Sequence, residues 1–155
     1  MDQRTPSGDE AAARIERAEA IFAGHEIITM AACVDGEPWV AKAYFVEDEP
    51  ASGRLDICCG LLMSPGRRDS LVKTPRVAFM VGGDVPDRWI SGLGTAELLD
   101  DDADVAAVLK RVSEKAQQAG PFLETGEPIA LRIHVERLKV TDLSAEPPVA
   151  EFTFA

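Results

Sequence analysis

The feature that most constrains this chain is the dipeptide Asp35-Gly36, which lies between two apolar segments. Asp-Gly favours the two-residue turn of an antiparallel hairpin, because both central residues of that turn need a positive φ. The flanking segments, residues 27–34 and 39–46, are rich in the residues that strands prefer. The pattern predicts a β-hairpin, and with it an antiparallel sheet.

Four further strands are predicted, over residues 54–60 and in the segments that begin at residues 76, 88 and 128. In the first, Leu55, Ile57 and Cys59 alternate with polar or smaller residues, which predicts a half-buried strand. In the strand from residue 88, Gly92 and Gly94 mark a bulge or a close backbone approach. The strand from residue 128 is predicted to bend near Arg137. Six strands joined by short turns predict a mainly β fold, an antiparallel barrel with flanking helices.

Three helices are predicted around this barrel. The segment 9–23 has apolar residues at helical spacing and is followed by Gly24. The segment 100–119 has acids at its start and bases further along, and Gly120-Pro121 is predicted to stop it. A third, short helix follows Ser64 and ends before Pro75. We expect one domain over residues 9–155, a loose tail over residues 1–8 and a turn over residues 49–53.

Charge and composition narrow the function classes. The 155 residues carry a net charge of −11, which argues against nucleic-acid or anionic-membrane partners, because both need a positive field. No apolar run is long enough to span a bilayer, and the N-terminus lacks the apolar core of a signal peptide. The three cysteines include an adjacent pair and make a poor disulfide framework. We therefore expect a cytoplasmic protein.

The start of the short central helix is the strongest candidate site. Ser64 is a favoured N-cap residue, and helix N-termini carry free N–H groups and partial positive charge. Arg67 and Arg68 are unfavourable there unless an anion binds at the same place, and Gly66 leaves room for one. The pattern predicts a phosphate site. The alternative is that both arginines are solvated or pair with acids such as Asp69.

Other candidate residues are less specific. Lys42 lies in the middle of an apolar strand, where it snorkels, pairs or faces a ligand; the alternative is an outward lysine on a half-exposed strand. Trp39 and Trp89 could stack on a flat ring, but core packing is the simpler role. His25 and His134 are far apart in the chain, which favours surface or structural roles.

Two motifs are rejected at this point. Gly92-Leu93-Gly94 lacks the third glycine and the following helix of a dinucleotide-binding fingerprint. Cys58-Cys59 lacks the spacing of a zinc site or a redox pair. Ser64 has no evident base partner and is not proposed as a nucleophile.

The order of elements resembles that of the FMN-binding split-barrel family, which is related to pyridoxamine 5'-phosphate oxidase. The resemblance covers residues 27–144 and includes an Asp-Gly hairpin followed by Pro38-Trp39-Val40. It also includes the pattern S-x-x-R-R-x-x-L-x-x-x-P-R-V-A from Ser64, and its most specific part is the run from Arg67 to Val81. In this family a basic residue stands eight positions before the proline, and Arg67 holds that position here.

The resemblance implies a six-stranded split barrel of Greek-key type that forms a homodimer, with flavin bound in a groove at the subunit interface. Arg67 matches the phosphate-binding residue, and Ser64 and Arg68 are its neighbours. Tyr44, or by strand parity Lys42, lies near another basic position of the family. The resemblance also implies that backbone near three consecutive residues faces the flavin ring: Cys59, Gly60 and Leu61.

Several departures separate the chain from pyridoxamine 5'-phosphate oxidase itself. Leu61-Leu62 stands where a Thr-Asn pair is common, Gly66 replaces an arginine, and Trp39 replaces a basic residue. The basic C-terminal signature for the substrate phosphate is absent. The resemblance therefore implies an FMN-dependent oxidoreductase of the wider family, with an unidentified small substrate, in place of pyridoxamine 5'-phosphate oxidase itself.

Two alternatives remain open on the same scaffold. The first is a reductase that uses the deazaflavin F420, whose polyglutamate tail would need more cations than this acidic chain offers near Arg67. The second is a non-catalytic dimer whose cofactor site has decayed.

Overall fold

In the computed structural model, which describes residues 8–48, 55–84 and 87–154 with side chains from residue 16 onward, seven strands and four helices are seen. In chain order they are α1 (Gly8–Ala23), β1 (Ile27–Val34), β2 (Glu37–Asp48), β3 (Asp56–Leu62), α2 (Pro65–Lys73), β4 (Arg76–Gly82), β5 (Arg88–Leu98), α3 (Asp102–Lys115), α4 (Ala119–Leu123), β6 (Pro128–Asp142) and β7 (Val149–Thr153). Residues 1–7 of the predicted tail and the predicted turn at 49–53 lie outside the described residues.

The predicted hairpin is present. Asp35 and Gly36 have φ values of 51° and 78°, the left-handed conformation that a two-residue reversal requires. Val34 pairs with Glu37 directly across this turn. The turn therefore fixes the register of β1 against β2, and every second side chain of each strand faces the same side.

The strands close into a barrel. Their order is β3-β2-β1-β4-β5-β6, and pairing of β3 with β6 joins the two ends. β1, β2 and β3 are consecutive neighbours, and the chain then returns through α2 to place β4 beside β1, which is a Greek key. The predicted mainly β class, the barrel and its Greek-key topology are confirmed.

The predicted count of six strands is too low by one. β6 has 15 residues, more than twice the seven of β3. Residues 128–134 of β6 pair with β3, and residues 137–141 pair with β7. The second half of β6 would otherwise leave an open edge, and the C-terminal strand covers it.

The predicted irregularity between β5 and β6 is also present. Leu93 pairs with Arg137 and Gly94 with Val135, so that Glu136 is an extra residue in β6. A side chain at Gly92 would collide with the ring of Phe79. Glycine is therefore required where the strands bend and approach most closely.

β3 is not the half-buried strand that its alternation predicts. All of its residues except Leu62 are buried. Ile57 and Cys59 face the barrel interior, whereas Cys58 belongs to a second cluster with Val108 and Val112 of α3. The outer face of β3 is buried because α3 and α4 pack on it.

The helices differ from their prediction at one point. α3 begins after the Asp101 cap and ends at Lys115, before Gly120-Pro121, which lies inside the separate helix α4. Pro121 is in the first turn of α4, where its missing N–H costs no intrahelical hydrogen bond. Among the described helices, none is long and apolar enough to cross a membrane. All three cysteines are free thiols.

Candidate functional site

The first turn of α2 has the predicted capping geometry. Ser64 is the N-cap, with φ −63° and ψ 150°, and its hydroxyl accepts a hydrogen bond from the Arg67 amide at 3.4 Å. Pro65 occupies the first helical position, and no acidic residue lies in the first turn. The helix N-terminus therefore has no carboxylate of its own to balance the positive end of its dipole.

Arg67 lies over the indole of Trp39. Its guanidinium carbon is 5.6 Å from the ring centroid, a cation–π geometry. Trp39 in turn packs against the barrel core. The contact joins α2 to β2 and gives the guanidinium a defined position, so Arg67 is not simply free in solvent.

A cavity of about 490 Å³ separates α2 from the β1–β2 turn. Its lining includes Arg67 and Ser70 of α2, Asp35 of the turn, and Glu37 and Trp39 of β2. Among the lining residues, one cation therefore faces two carboxylates. An anion in this cavity needs further positive charge, from Arg68 on the same helix or from a second chain.

Two unsatisfied donors lie on or next to α2. In the described part of the chain, three buried side-chain polar atoms lack a hydrogen-bond partner: Trp39 Nε1, Arg68 Nε and Asp87 Oδ1. A buried donor without a partner is costly, and such groups are rare in folded proteins. The residues at the start of α2 can thus supply donors to an oxygen-rich ligand.

Lys42 lies on the outer face of the barrel. It is exposed on β2 and pairs in register with Thr29 of β1. Trp39 has the opposite parity on β2 and packs inward. Within one chain the structure therefore does not bring Lys42 into the cavity that Arg67 lines.

Cys59, Gly60 and Leu61 lie inside the barrel wall. Cys59 and Leu61 point into the core, and burial raises the pKa of the Cys59 thiol. A Cβ on Gly60 would lie 3.0 Å from Leu109 of α3, so the helices cover its outer side. All three residues are paired with β6 on one edge, and the first two also pair with β2. A flavin contact to this backbone stays a prediction, and these three residues line neither cavity described in this section.

Sequence reasoning missed a second cavity, a groove of about 570 Å³ on the outer face of β1, β4, β5, β6 and β7. The groove lies at the bend that Gly92 and Gly94 predict. Its lining includes Met80, Leu93, Ser91, Arg137 and Lys139. Each of these points outward on its own strand, so the groove becomes visible only once the register across five strands is known.

The two histidines have structural contacts. His134 of β6 accepts or donates at both ring nitrogens, 3.0 Å from Asp56 of β3 and 2.8 Å from Glu97 of β5. His25 contacts the Ile21 carbonyl and Asp84. No group of three His, Cys, Asp or Glu among the described residues could hold a metal ion.

Comparison with solved structures places this geometry in a known fold. A protein from Clostridium acetobutylicum, related to general stress protein 26 of Bacillus subtilis and described as of the pyridoxinephosphate oxidase family, superposes with a TM-score of 0.71. It is 14% identical, and the match covers 90% of this chain and 93% of that one. The chain has the split-barrel fold of the pyridoxamine 5'-phosphate oxidase-like proteins.

Two further split barrels show what proteins of this fold bind. A FAD-binding protein from Mesorhizobium loti is 18% identical with a TM-score of 0.60, covering 87% of this chain and 94% of that one. A heme-binding protein from Mycobacterium smegmatis is 18% identical with a TM-score of 0.63, covering 97% of this chain and 59% of that one. No family model matches the chain, and no curated protein matches it in sequence. At these identities the comparison shows the fold.

Proposed function

We propose that this protein binds FMN and acts as a flavin-dependent oxidoreductase on a small molecule. The observation that carries the proposal is the start of α2, where Arg67 and Arg68 lie behind the Ser64 cap. Two buried donors have no hydrogen-bond partner: Nε of Arg68 in the first turn of α2, and Nε1 of Trp39, whose ring lies under Arg67. A terminal phosphate supplies the oxygens that these groups need.

The residues of this chain would bind and orient the cofactor. Arg67 and Arg68 would neutralise the phosphate, and the free N–H groups at the start of α2 would donate to its oxygens. The flavin supplies the electron-transfer chemistry when it is bound. No catalytic acid or base is assigned to this chain, because the cofactor itself would carry the redox chemistry.

We also propose a homodimer with the cofactor at the subunit interface. Three large apolar side chains are exposed on one outer face of the barrel: Ile27 at 43%, Val40 at 63% and Met80 at 45%. A second copy of this chain would cover them. In one chain the cavity that Arg67 lines has more carboxylates than cations. The outer face of the second copy, which includes its Lys42, would bring further positive charge to this cavity.

Haem is not proposed, although one neighbour of this fold binds it. Haem iron in proteins commonly takes a histidine ligand. The chain has two histidines, and both imidazoles are hydrogen-bonded at both ring nitrogens.

A non-catalytic dimer is the second candidate. It is favoured by Asp35 and Glu37, which line the same cavity as Arg67 and oppose an anion there. A dimer that binds neither FMN nor F420 would support it.

The experiment is a titration of the purified protein with FMN, followed by flavin fluorescence, with mass measured by light scattering on a size-exclusion column. We expect saturable binding and the mass of a dimer. A dissociation constant weaker than about 1 mM, about −4 kcal/mol, would contradict the proposal. Competition between FMN and F420 in the same titration decides between the two flavin-type cofactors.

A further inference from the structure

A third cavity lies beside α1, at the end of the barrel opposite to α2. Its volume is about 350 Å³, within the range of pockets that take small molecules. His25, which precedes β1, lines this cavity, whereas Val34 at the far end of β1 lines the α2 cavity. The two cavities are therefore separated by the length of a strand.

The walls of this cavity come from α1 and from the adjoining ends of β5 and β6. Arg17 and Ile21 are one helical turn apart, so they share a face of α1, and both line the cavity. Arg88 begins β5 and lies directly opposite Asp142, the last residue of β6. Arg88 has the strand parity of the core residue Ile90, so this pair belongs to the inner side of the sheet. The cavity is thus at the mouth of the barrel, away from the outer face that the proposed dimer covers.

Asp142 brings a buried carboxylate to this cavity. The residue is 8% exposed and lines the cavity. Its Oδ1 accepts hydrogen bonds from the amide and the hydroxyl of Ser144, at 3.0 and 2.6 Å, and its Oδ2 has no partner among the described residues. The Ser144 hydroxyl is the largest cause that lowers the pKa of Asp142, and Arg88 and Arg17 also lower it, against burial. The carboxylate is therefore charged at neutral pH.

Two guanidinium groups share this space with the carboxylate. Arg17 and Arg88 both line the cavity, and both act on the charge of Asp142. Among the described residues, none forms an ion pair or a hydrogen bond with either guanidinium. His25 also lines the cavity, but both of its ring nitrogens are already hydrogen-bonded. The cavity therefore combines two cations with one carboxylate oxygen, all free to meet a ligand.

We infer that this cavity binds a small zwitterion, an α-amino acid with an apolar side chain. Asp142 Oδ2 would accept a hydrogen bond from the ammonium group, and Arg17 and Arg88 would donate to the carboxylate. Ala20 and Ile21 would supply the apolar wall. A simple anion would be repelled by Asp142, and a simple amine would be repelled by two guanidinium groups, so a ligand with one charge of each sign is the best match. The inference does not rest on the proposed flavin function.

The test is isothermal titration calorimetry of the full protein with three matched probes, at a pH of about 6.5, where the α-amino groups keep their charge. L-Leucine has both charges, N-acetyl-L-leucine lacks the positive charge and L-leucinamide lacks the negative charge. We expect L-leucine to bind at least about tenfold more tightly than either analogue, the scale of one charge-assisted hydrogen bond. Asp142→Asn should remove the preference over N-acetyl-L-leucine. The double variant of Arg17→Gln and Arg88→Gln should remove the preference over L-leucinamide.

The matched control is Arg76→Gln, which makes the same charge change at an exposed arginine of β4 that pairs with Glu136 and does not line this cavity. It should keep both preferences. Arg17 and Arg88 are exposed, so their double variant tests the inference even where Asp142→Asn does not fold. Absence of L-leucine binding, equal binding of the three probes, or a preference over L-leucinamide that survives in the double variant would overturn the inference.

FMN affinity measured on the same proteins keeps the two proposals apart. L-Leucine binding without FMN binding contradicts only the flavin function. FMN binding without L-leucine binding contradicts only the zwitterion site.

Discussion

At the scale of single residues, two side chains determine what the start of α2 can do. Trp39 holds Arg67 by a cation–π contact and leaves its own N–H unsatisfied. The sequence predicts that Ser64 caps the helix and that Arg67 and Arg68 lie in its first turn, since both follow from residue types within one short segment. It does not predict their contact with Trp39, because Trp39 and Arg67 are 28 positions apart and meet only after β2 and α2 are packed.

His25 provides a prediction at this scale. The Ile21 carbonyl and Asp84 raise its pKa above the ordinary 6.5, against burial and Lys115, which lower it. A group with a raised folded-state pKa stabilises the fold fully below 6.5, and this contribution is lost as pH rises through the raised pKa. His25→Gln should therefore lower the melting temperature at acid pH by about 2–4 °C, for about 1 kcal/mol.

The measurement is thermal unfolding of both proteins across a series of pH values. The difference between wild type and His25→Gln should shrink as the pH rises. A difference that stays constant or grows with pH would show that the charged imidazole does not stabilise the contact between α1 and the segment after β4.

At the scale of elements, most strands follow from local pattern, and the exceptions have physical causes. The bounds of β1 are predicted correctly because the Asp-Gly turn fixes one end. β7 is missed because its five residues are too short to show a pattern, and its role depends on the length of β6. The burial of β3 on both faces is missed because it depends on where α3 packs.

Lys115 tests the packing of α3. Its ammonium group donates to Glu47 at 2.7 Å and to the Phe22 carbonyl at 2.9 Å, and lies 3.8 Å from the centroid of the Phe45 ring. Lys115→Met should reduce the free energy of unfolding by about 1–3 kcal/mol, because it leaves the Glu47 carboxylate without this donor and leaves the Phe22 carbonyl with only the His25 amide, at 3.3 Å. Urea denaturation measures the change.

Lys110→Met is the matched control on the same helix. The Lys110 side chain is 78% exposed and its ion pair with Glu114 is 4.0 Å long, so its loss should cost less than about 0.5 kcal/mol. Equal effects of the two substitutions would show that α3 is not anchored through Lys115.

At the scale of the whole molecule, the fold could be predicted more completely than the site. Alternation, turns and glycines in the sequence are sufficient to predict an antiparallel barrel, and the family resemblance adds its Greek-key topology. The cavities could not be predicted from these patterns, because each is lined by residues from elements that are distant in the chain. The α2 cavity also has more carboxylates than cations among its lining residues, so the proposed phosphate site needs further positive charge, which in the proposed dimer a second copy would supply.

The central claim is that Arg67 and Arg68 bind the phosphate of a flavin, and the most direct measurement is the FMN dissociation constant of three glutamine variants. Arg67→Gln and Arg68→Gln should each weaken binding by about tenfold. Lys73→Gln, at the far end of the same helix, should leave affinity within about twofold of wild type, since helix-terminus effects fall off within one turn. If both arginine variants bind FMN as tightly as Lys73→Gln, the phosphate is not held at the start of α2 and the account is contradicted.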